Sequence, residues 1–256
     1  MKAWIITIGN EVLIGKVINT NAAWLARKLT NLGIEIKRIV VVPDNMDEIV
    51  KMFQEAISNA DIIISTGGLG PTFDDMTNFA LAKALGRELE INKEAFEEIK
   101  KKYEKAGLPL TEERVKMSKM PKGAVSLHNP VGTAPGIMVR YDDKLIIALP
   151  GVPREMEAIF EESIEKILLN KSKKRLIEKS MVIRGVPESS LAPIISEAMK
   201  RYFPLYIKSH PRGEELKSSV IEVHISGMNG DELSKKIEEV IRFITEKVSK
   251  IGGKIN

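Results

Sequence analysis

Short apolar runs alternate with helical spacings through the first 170 residues. Residues 2–8, 35–42 and 62–65 are apolar stretches of strand length, each followed by a polar turn. Between the first two, residues 19–32 place Ala22, Ala23, Leu25, Ala26, Leu29 and Leu32 three and four positions apart, as one helix face requires. Gly33 ends that helix. Residues 46–58 repeat the helical pattern, and 78–85 begin another helix. This β-α-β-α-β order predicts an α/β fold with a mostly parallel sheet and right-handed crossovers. In such sheets ligands collect beyond the carboxyl ends of the strands. The turns at Gly9-Asn10-Glu11, at Pro43-Asp44-Asn45 and after Ser65 all fall at those ends.

Further along, residues 92–120 read as polar and helical, with breaks near Gly107-Leu108-Pro109. Strands are expected at 125–127, 136–141 and 144–149, the last two joined by an Asp142-Asp143 hairpin turn. A helix follows over 155–168, with Pro153 suited to its first turn. Asn170-Lys171-Ser172-Lys173-Lys174 reads as a linker, so two domains are expected, 1–169 and 170–256. Beyond it the pattern restarts: strand 176–184, helix 187–201, strands 205–209 and 218–226, and helix 230–250. That order fits a small α+β module.

Composition narrows the class. The chain has 256 residues, 43% hydrophobic and 29% charged, as in a globular protein with a sizeable core. No apolar run approaches the roughly 20 residues of a membrane span, so no membrane partner is expected. The apolar start is too short for a signal peptide, and a cytoplasmic location is the expectation. The lack of Cys excludes disulfides, zinc-thiolate sites and thiol catalysis. Lys and Glu enrichment, with Gln54 the only glutamine, suggests heat adaptation. The net charge of +4 is uneven, −2 over residues 1–169 and +6 over 170–256. In the second module the basic residues are interspersed with acidic ones and few aromatics accompany them. A solvated lysine-rich surface is therefore expected rather than a nucleic-acid site. Gly185-Val186-Pro187-Glu188 also stands where an RNA-binding KH unit would carry its Gly-x-x-Gly clamp.

The densest chemistry lies in Gly67-Gly68-Leu69-Gly70-Pro71-Thr72-Phe73-Asp74-Asp75-Met76-Thr77, between a strand and a helix. Three glycines let the backbone approach a ligand and adopt positive φ. Free N–H groups at the following helix start suit a phosphate. Two adjacent carboxylates do not, unless a cation bridges them. A divalent metal of the Mg, Mn or Co kind, held by Asp74 and Asp75, is the simplest bridge. The rival for either Asp is a helix cap, and for Asp44 a turn of its own. No pair among His128, His210 and His224 has metal-ligand spacing, and Ser189-Ser190 has no base motif beside it.

Four runs occur in order: Gly9-Asn10-Glu11-Val12-Leu13-x-Gly15 with Asn19-Thr20-Asn21; the glycine-aspartate run through Thr77; Asn129-x-x-Gly132-Thr133-Ala134-Pro135-Gly136; and Pro150-Gly151-Val152-Pro153-x-Glu155-Met156. Together they resemble the N-terminal region of the CinA (competence/damage-inducible protein A) family. That region is similar to the molybdopterin-binding domain of molybdenum cofactor biosynthesis proteins. Residues 175–256 resemble, more loosely, the KH-like domain that follows in CinA proteins. The resemblance implies a three-layer α/β/α first domain, self-association, and metal-dependent hydrolysis of ADP-ribose to AMP and ribose 5-phosphate. The alternative it implies is binding or adenylylation of a pterin phosphate. Nothing in the chain matches the nicotinamide mononucleotide deamidase domain of longer CinA proteins, so that activity is not expected.

The single essential Asp of the molybdopterin relatives falls on Asp75, and their second functional Asp on Asp44. Where those relatives commonly carry Arg, this chain has Asp74. The resemblance therefore implies catalytic roles for Asp75, Asp74 and Asp44. It implies substrate contacts at Gly9, Glu11, Asn19, Asn21, Gly67, Gly68, Gly70, Pro71, Thr72, Thr77, Asn129, Gly132, Thr133, Pro150, Gly151 and Glu155. Asp44 or Glu11 would join the metal, and Glu155 would serve as base or as an ordinary first-turn carboxylate. The expected ligand is a small nucleotide or pterin phosphate.

Overall fold

The computed structural model describes residues 1–171, 176–212, 220–228 and 231–255. The chain divides into two compact units, Met1–Thr30 with Ile34–Ser172, and Asn31–Gly33 with Lys173–Asn256. Part of the expected linker, and the first residues expected of strand 218–226 and helix 230–250, lie outside the described residues.

The first unit begins with β1 (Lys2–Ile8), α1 (Asn10–Leu13), α2 (Thr20–Asn31), β2 (Glu35–Val42), α3 (Met46–Asn59), β3 (Ile62–Thr66) and α4 (Thr77–Leu85). It continues with β4 (Leu89–Ile91), α5 (Lys93–Lys105), α6 (Glu112–Lys116), β5 (Lys119–Pro121), β6 (Val125–Leu127), β7 (Gly136–Tyr141) and β8 (Lys144–Leu149). Then α7 (Pro153–Ile159) runs through a π turn (Phe160–Ile164) into α8 (Glu165–Lys171). Six strands form one sheet in the order β2-β1-β3-β8-β7-β6. β2, β1, β3 and β8 are parallel, and the β7–β8 hairpin and β6 add antiparallel neighbours.

β3 is buried along its whole length because its alternate side chains face helices on opposite sides. Trp4, Ile6, Ile8 and Ile63 pack with Ile49 and Phe53 of α3 and Ala80 and Leu81 of α4. Ile5, Ile62 and Ile64 are equally buried on the other face. That face also carries Thr66, whose hydroxyl receives a hydrogen bond from Asn21 of α2. Trp24 of α2 meets Phe160 edge to face at 5.3 Å, joining α2 to the α7–α8 rod. Truncating a fully buried ring such as Phe53 to Ala would cost about 3–5 kcal/mol.

Residues 92–120 differ from the expected broken helix. α5 and α6 are present, but β4 and β5 flank them and pair antiparallel. Both are three residues long, and each pairs with a partner far away in sequence. The turn at Gly9-Asn10-Glu11 also opens the short helix α1.

The second unit contains β9 (Leu176–Arg184), α9 (Glu188–Arg201), β10 (Tyr206–Pro211), β11 (Val220–Met228), α10 (Asp231–Lys250) and β12 (Lys254–Ile255). Its sheet is antiparallel, in the order β10-β11-β9-β12. Alternate residues of β11 are buried. Ile221, Val223 and Ile225 pack with Leu191 of α9 and Val240 and Ile244 of α10. Among the described residues no helix is long and apolar enough to cross a membrane.

Candidate functional site

The strand order β2-β1-β3-β8 places four loops side by side at the carboxyl ends of these strands. They enclose a cleft of about 500 Å³. Its walls include Gly9 and Glu11 after β1, Asp44 after β2, and Gly67, Gly68, Gly70, Pro71, Asp74 and Asp75 after β3. Pro150 and Gly151 after β8, Glu155 of α7, and Thr133 complete the expected members, with Ile8, Leu69, Met117, Ala134 and Val152 beside them. Asn19 and Asn21 line a smaller adjoining cavity instead. Thr72, Thr77, Asn129 and Gly132 line neither.

The glycine loop is held from below. Gly67 sits at φ 108°, and a Cβ there would lie 2.1 Å from the Ile8 carbonyl oxygen. Its N–H donates to the Leu149 carbonyl, tying the loop to β8. Thr77, fully buried, donates its hydroxyl to Gly67 O at 2.8 Å and its N–H to Gly68 O at 3.0 Å. Thr77 is thus a clamp on the loop and lines neither cavity. The N–H groups of Gly68, Leu69 and Gly70 donate to no described residue. Consecutive unpaired amides beside a cleft form a nest for an anion. The start of α4 contributes less than its sequence suggests. Its Thr77 N–H is taken by Gly68, its Phe79 N–H by the Asn78 side chain, and none of α4 reaches the cleft.

Asp74 and Asp75 converge on one hydroxyl. Thr72 Oγ1 lies within hydrogen-bond reach of Asp74 Oδ1 and, at 2.6 Å, of Asp75 Oδ2. A hydroxyl has one proton, so only one carboxylate receives it at a time. Asp75 Oδ2 also accepts the Thr72 N–H at 2.9 Å. The Thr72 hydrogen bond holds the Asp74 carboxyl below its usual range. Under this turn, Lys116 donates to the Thr72 carbonyl and, at 2.8 Å, to the Asp75 carbonyl. Burial pushes the Lys116 ammonium pKa down, against the opposing pull of Asp75 and Asp74. The sequence offered no signal for Lys116, one lysine among many in a polar stretch.

Asp44 accepts the Asn10 N–H at 2.8 Å and donates its own N–H back to Asn10 Oδ1 at 3.3 Å. Burial raises its pKa first; the Asn10 bond opposes this, and Glu11, Asp74 and Asp75 add to the rise. The cleft is therefore crowded with carboxylates. Even so, among the described residues no three His, Asp or Glu side chains are close enough together to cage a metal ion. The expected enclosure of Asp74 and Asp75 with Asp44 or Glu11 is not assembled from protein groups alone. A Mg²⁺-class ion that keeps its waters and uses one or two carboxylates plus ligand phosphate fits this donor set better than a full cage does.

On the opposite wall, Asn129 is a buried hub. Its Nδ2 donates to Glu155 Oε2 at 2.6 Å and to Ala134 O at 2.8 Å. Its Oδ1 accepts the Val131 and Gly132 N–H groups. A Cβ on Gly132 would meet the Glu155 carboxyl carbon at 2.1 Å, so a side chain there would push that carboxylate from its place. Asn129 and Gly132 therefore position Glu155 rather than line the cleft. Asn19 caps α2 by accepting the Ala22 N–H at 3.1 Å, and its Nδ2 donates to Thr7 at 3.0 Å.

With the geometry described, comparison with known proteins adds the family. Residues 4–170 match the family described as "Probable molybdopterin binding domain". The chain is similar to a protein of Pyrobaculum arsenaticum, 53% identical over 99% of this chain and 97% of that one. It is also similar to a protein of Sulfurisphaera tokodaii, 46% identical over 100% of this chain and 99% of that one. Among solved structures it is similar to the protein CinA of Thermoplasma acidophilum, described as of unknown function. The two are 46% identical over 65% of this chain and 97% of that one, with a TM-score of 0.62. These comparisons show a molybdopterin-binding-type domain. They lend no support to hydrolysis of ADP-ribose.

Proposed function

This chain belongs to the probable molybdopterin binding domain family and is a relative of CinA, and on that premise we propose that its cleft binds the phosphate end of a molybdopterin or nucleotide. The observation that carries this reading is the row of unpaired N–H groups at Gly68, Leu69 and Gly70 beside a cleft of about 500 Å³. Successive backbone N–H groups of this kind form an anion-binding concavity. A divalent ion of the Mg, Mn or Co class would be held by Asp74 and Asp75 together with the ligand's own phosphate oxygens. It would supply the positive charge without which these carboxylates repel a phosphate. Lys116 holds the turn that presents both aspartates, and Asn129 holds Glu155 across from them.

Calorimetry tests the reading. A pterin phosphate and AMP are titrated with and without Mg²⁺, against wild type and Gly70→Asp. Binding strengthened by Mg²⁺ and lost in the variant is the expected result. No binding of either ligand at any Mg²⁺ concentration would refute the proposal. Release of AMP from ADP-ribose by wild type but not by Asp75→Asn would replace simple binding with hydrolysis.

A further inference from the structure

The loop at residues 128–135, between β6 and β7, makes no backbone–backbone hydrogen bond with any described residue. A segment without such bonds opens locally unless side chains hold it. Two groups on α5 do so. Lys102 Nζ donates to the Asn129 carbonyl at 2.5 Å, and Glu98 Oε1 accepts the Asn129 N–H at 3.2 Å. Both ends of one residue's backbone are thus gripped by side chains one helical turn apart, which also pair with each other. His128 Nδ1 lies 3.0 Å from the same Glu98 oxygen. Burial pushes the Glu98 carboxyl up, but the Lys102 and Asn129 bonds outweigh it and hold it below its usual range. α5 itself is fixed to the core by Ala95 and Ile99, both fully buried. Among the described residues, only these contacts and the Asn129–Glu155 bond tie the loop to the rest of the unit through polar groups.

The grip passes on to Glu155. Asn129 spends Oδ1 on the Val131 and Gly132 amides, which turns Nδ2 toward Glu155 Oε2. Glu155 Oε1 is left without a hydrogen-bond partner. It is not a buried atom, because Asn21 Oδ1 and Ser126 Oγ are the buried side-chain polar atoms that lack one among the described residues. Oε1 is therefore accessible, on a side chain that lines the cleft. Thr133 stands on the same wall and makes no hydrogen bond to it. An ionised carboxylate only accepts.

We propose that Glu98 and Lys102 are positioning residues that, through Asn129, set Glu155 Oε1 as the acceptor for a hydrogen-bond donor on the ligand's non-phosphate part: a sugar hydroxyl, a ring N–H or an exocyclic amine. The proposal rests on the reading that the glycine loop holds the phosphate. It adds the ligand's direction, with the donor end against α7.

The test is calorimetry in Mg²⁺ with pyrophosphate, AMP and hydroxymethylpterin phosphate. In Glu155→Gln the amide must turn its oxygen to Asn129 Nδ2, so its NH₂ faces the ligand's donor. Affinity for at least one of the two organic phosphates, relative to pyrophosphate, should fall about tenfold. Lys102→Met should lose the same preference, and Lys102→Arg should regain part of it. The double variant should lose no more than Glu155→Gln alone, because Lys102 acts through Glu155. Unchanged ratios in Glu155→Gln, or losses that add in the double variant, overturn the proposal. If Lys102→Met does not fold, Glu98→Gln tests the same grip, since it keeps an acceptor for the Asn129 N–H and removes the charge that holds Lys102. A lost preference there upholds the proposal, and an unchanged one overturns it. Pyrophosphate binding with flat ratios removes this proposal alone. Failure of wild type to bind pyrophosphate removes the phosphate reading and this proposal with it.

Discussion

Replacing Thr77 by Val separates the two roles that this residue could have. Sequence resemblance places Thr77 at the ligand, whereas its hydroxyl and N–H both hold the glycine loop from a fully buried position. Val matches Thr in volume, so the change removes one hydrogen bond and strands the Gly67 carbonyl without opening a cavity. The expected cost is about 1–3 kcal/mol. At about 1.4 kcal/mol per tenfold, hydrogen exchange of the Thr77 amide, which donates to Gly68 O at 3.0 Å, should quicken by about 5- to 150-fold. Thr77→Ser keeps the hydroxyl and loses about 0.8 kcal/mol of methyl burial, so its exchange should change less. Pyrophosphate affinity should fall with the loosening in Val and hold in Ser. Wild-type exchange rates in Thr77→Val, combined with lost affinity, would refute the clamp and return Thr77 to the ligand.

Lys116→Met should free the Thr72–Asp75 turn and weaken Mg²⁺-dependent pyrophosphate binding, with Lys116→Arg restoring part of it; calorimetry on the three proteins reads this. For Asp44, burial and neighbouring carboxylates raise the folded pKa above the unfolded value near 3.8, so its ionisation destabilises the fold increasingly as pH rises through the folded pKa. Asp44→Asn should therefore raise the denaturation midpoint at pH 7, and the gain should vanish below pH 3.8; a gain that persists in acid would contradict the assignment. For His224, the Glu178 hydrogen bond leads the rise in folded pKa above 6.5, against burial, and Glu222 adds to it. Its stabilising contribution is fully present below about pH 6.5 and is lost as pH climbs through the folded pKa. NMR titration of the ring should give a midpoint above 6.5 that moves back toward it in Glu178→Gln.

Much of the first unit was legible because its elements are long and one-faced. Residues 2–8, 35–42 and 62–65 are rich in Ile and Val, and α2 and α3 keep apolar residues at helical spacing. β4, β5 and β12 have three residues or fewer, too short to show a period, and exist only because a distant segment pairs with them. The site divides in the same way. Gly67, Gly68, Gly70, Asp74, Asp75 and Glu155 were readable from the motifs and Asp44 from its turn at a strand end, and the cleft brings them together.

What each motif residue does was not readable. The runs that carry Thr77 and Asn129 give no sign that both face inward as braces. Nor does a polar stretch around residue 116 reveal that one of its lysines supports the aspartate turn. The chain by itself determined which segments become strands and helices, and which loops meet at the strand ends, because periodicity and turn chemistry act locally. Only the tertiary structure decided which polar groups are consumed by the fold and which are left for a ligand. Gly68–Gly70 keep their amides unpaired because hydrogen-bond partners are allotted in space, between residues that sequence order holds far apart.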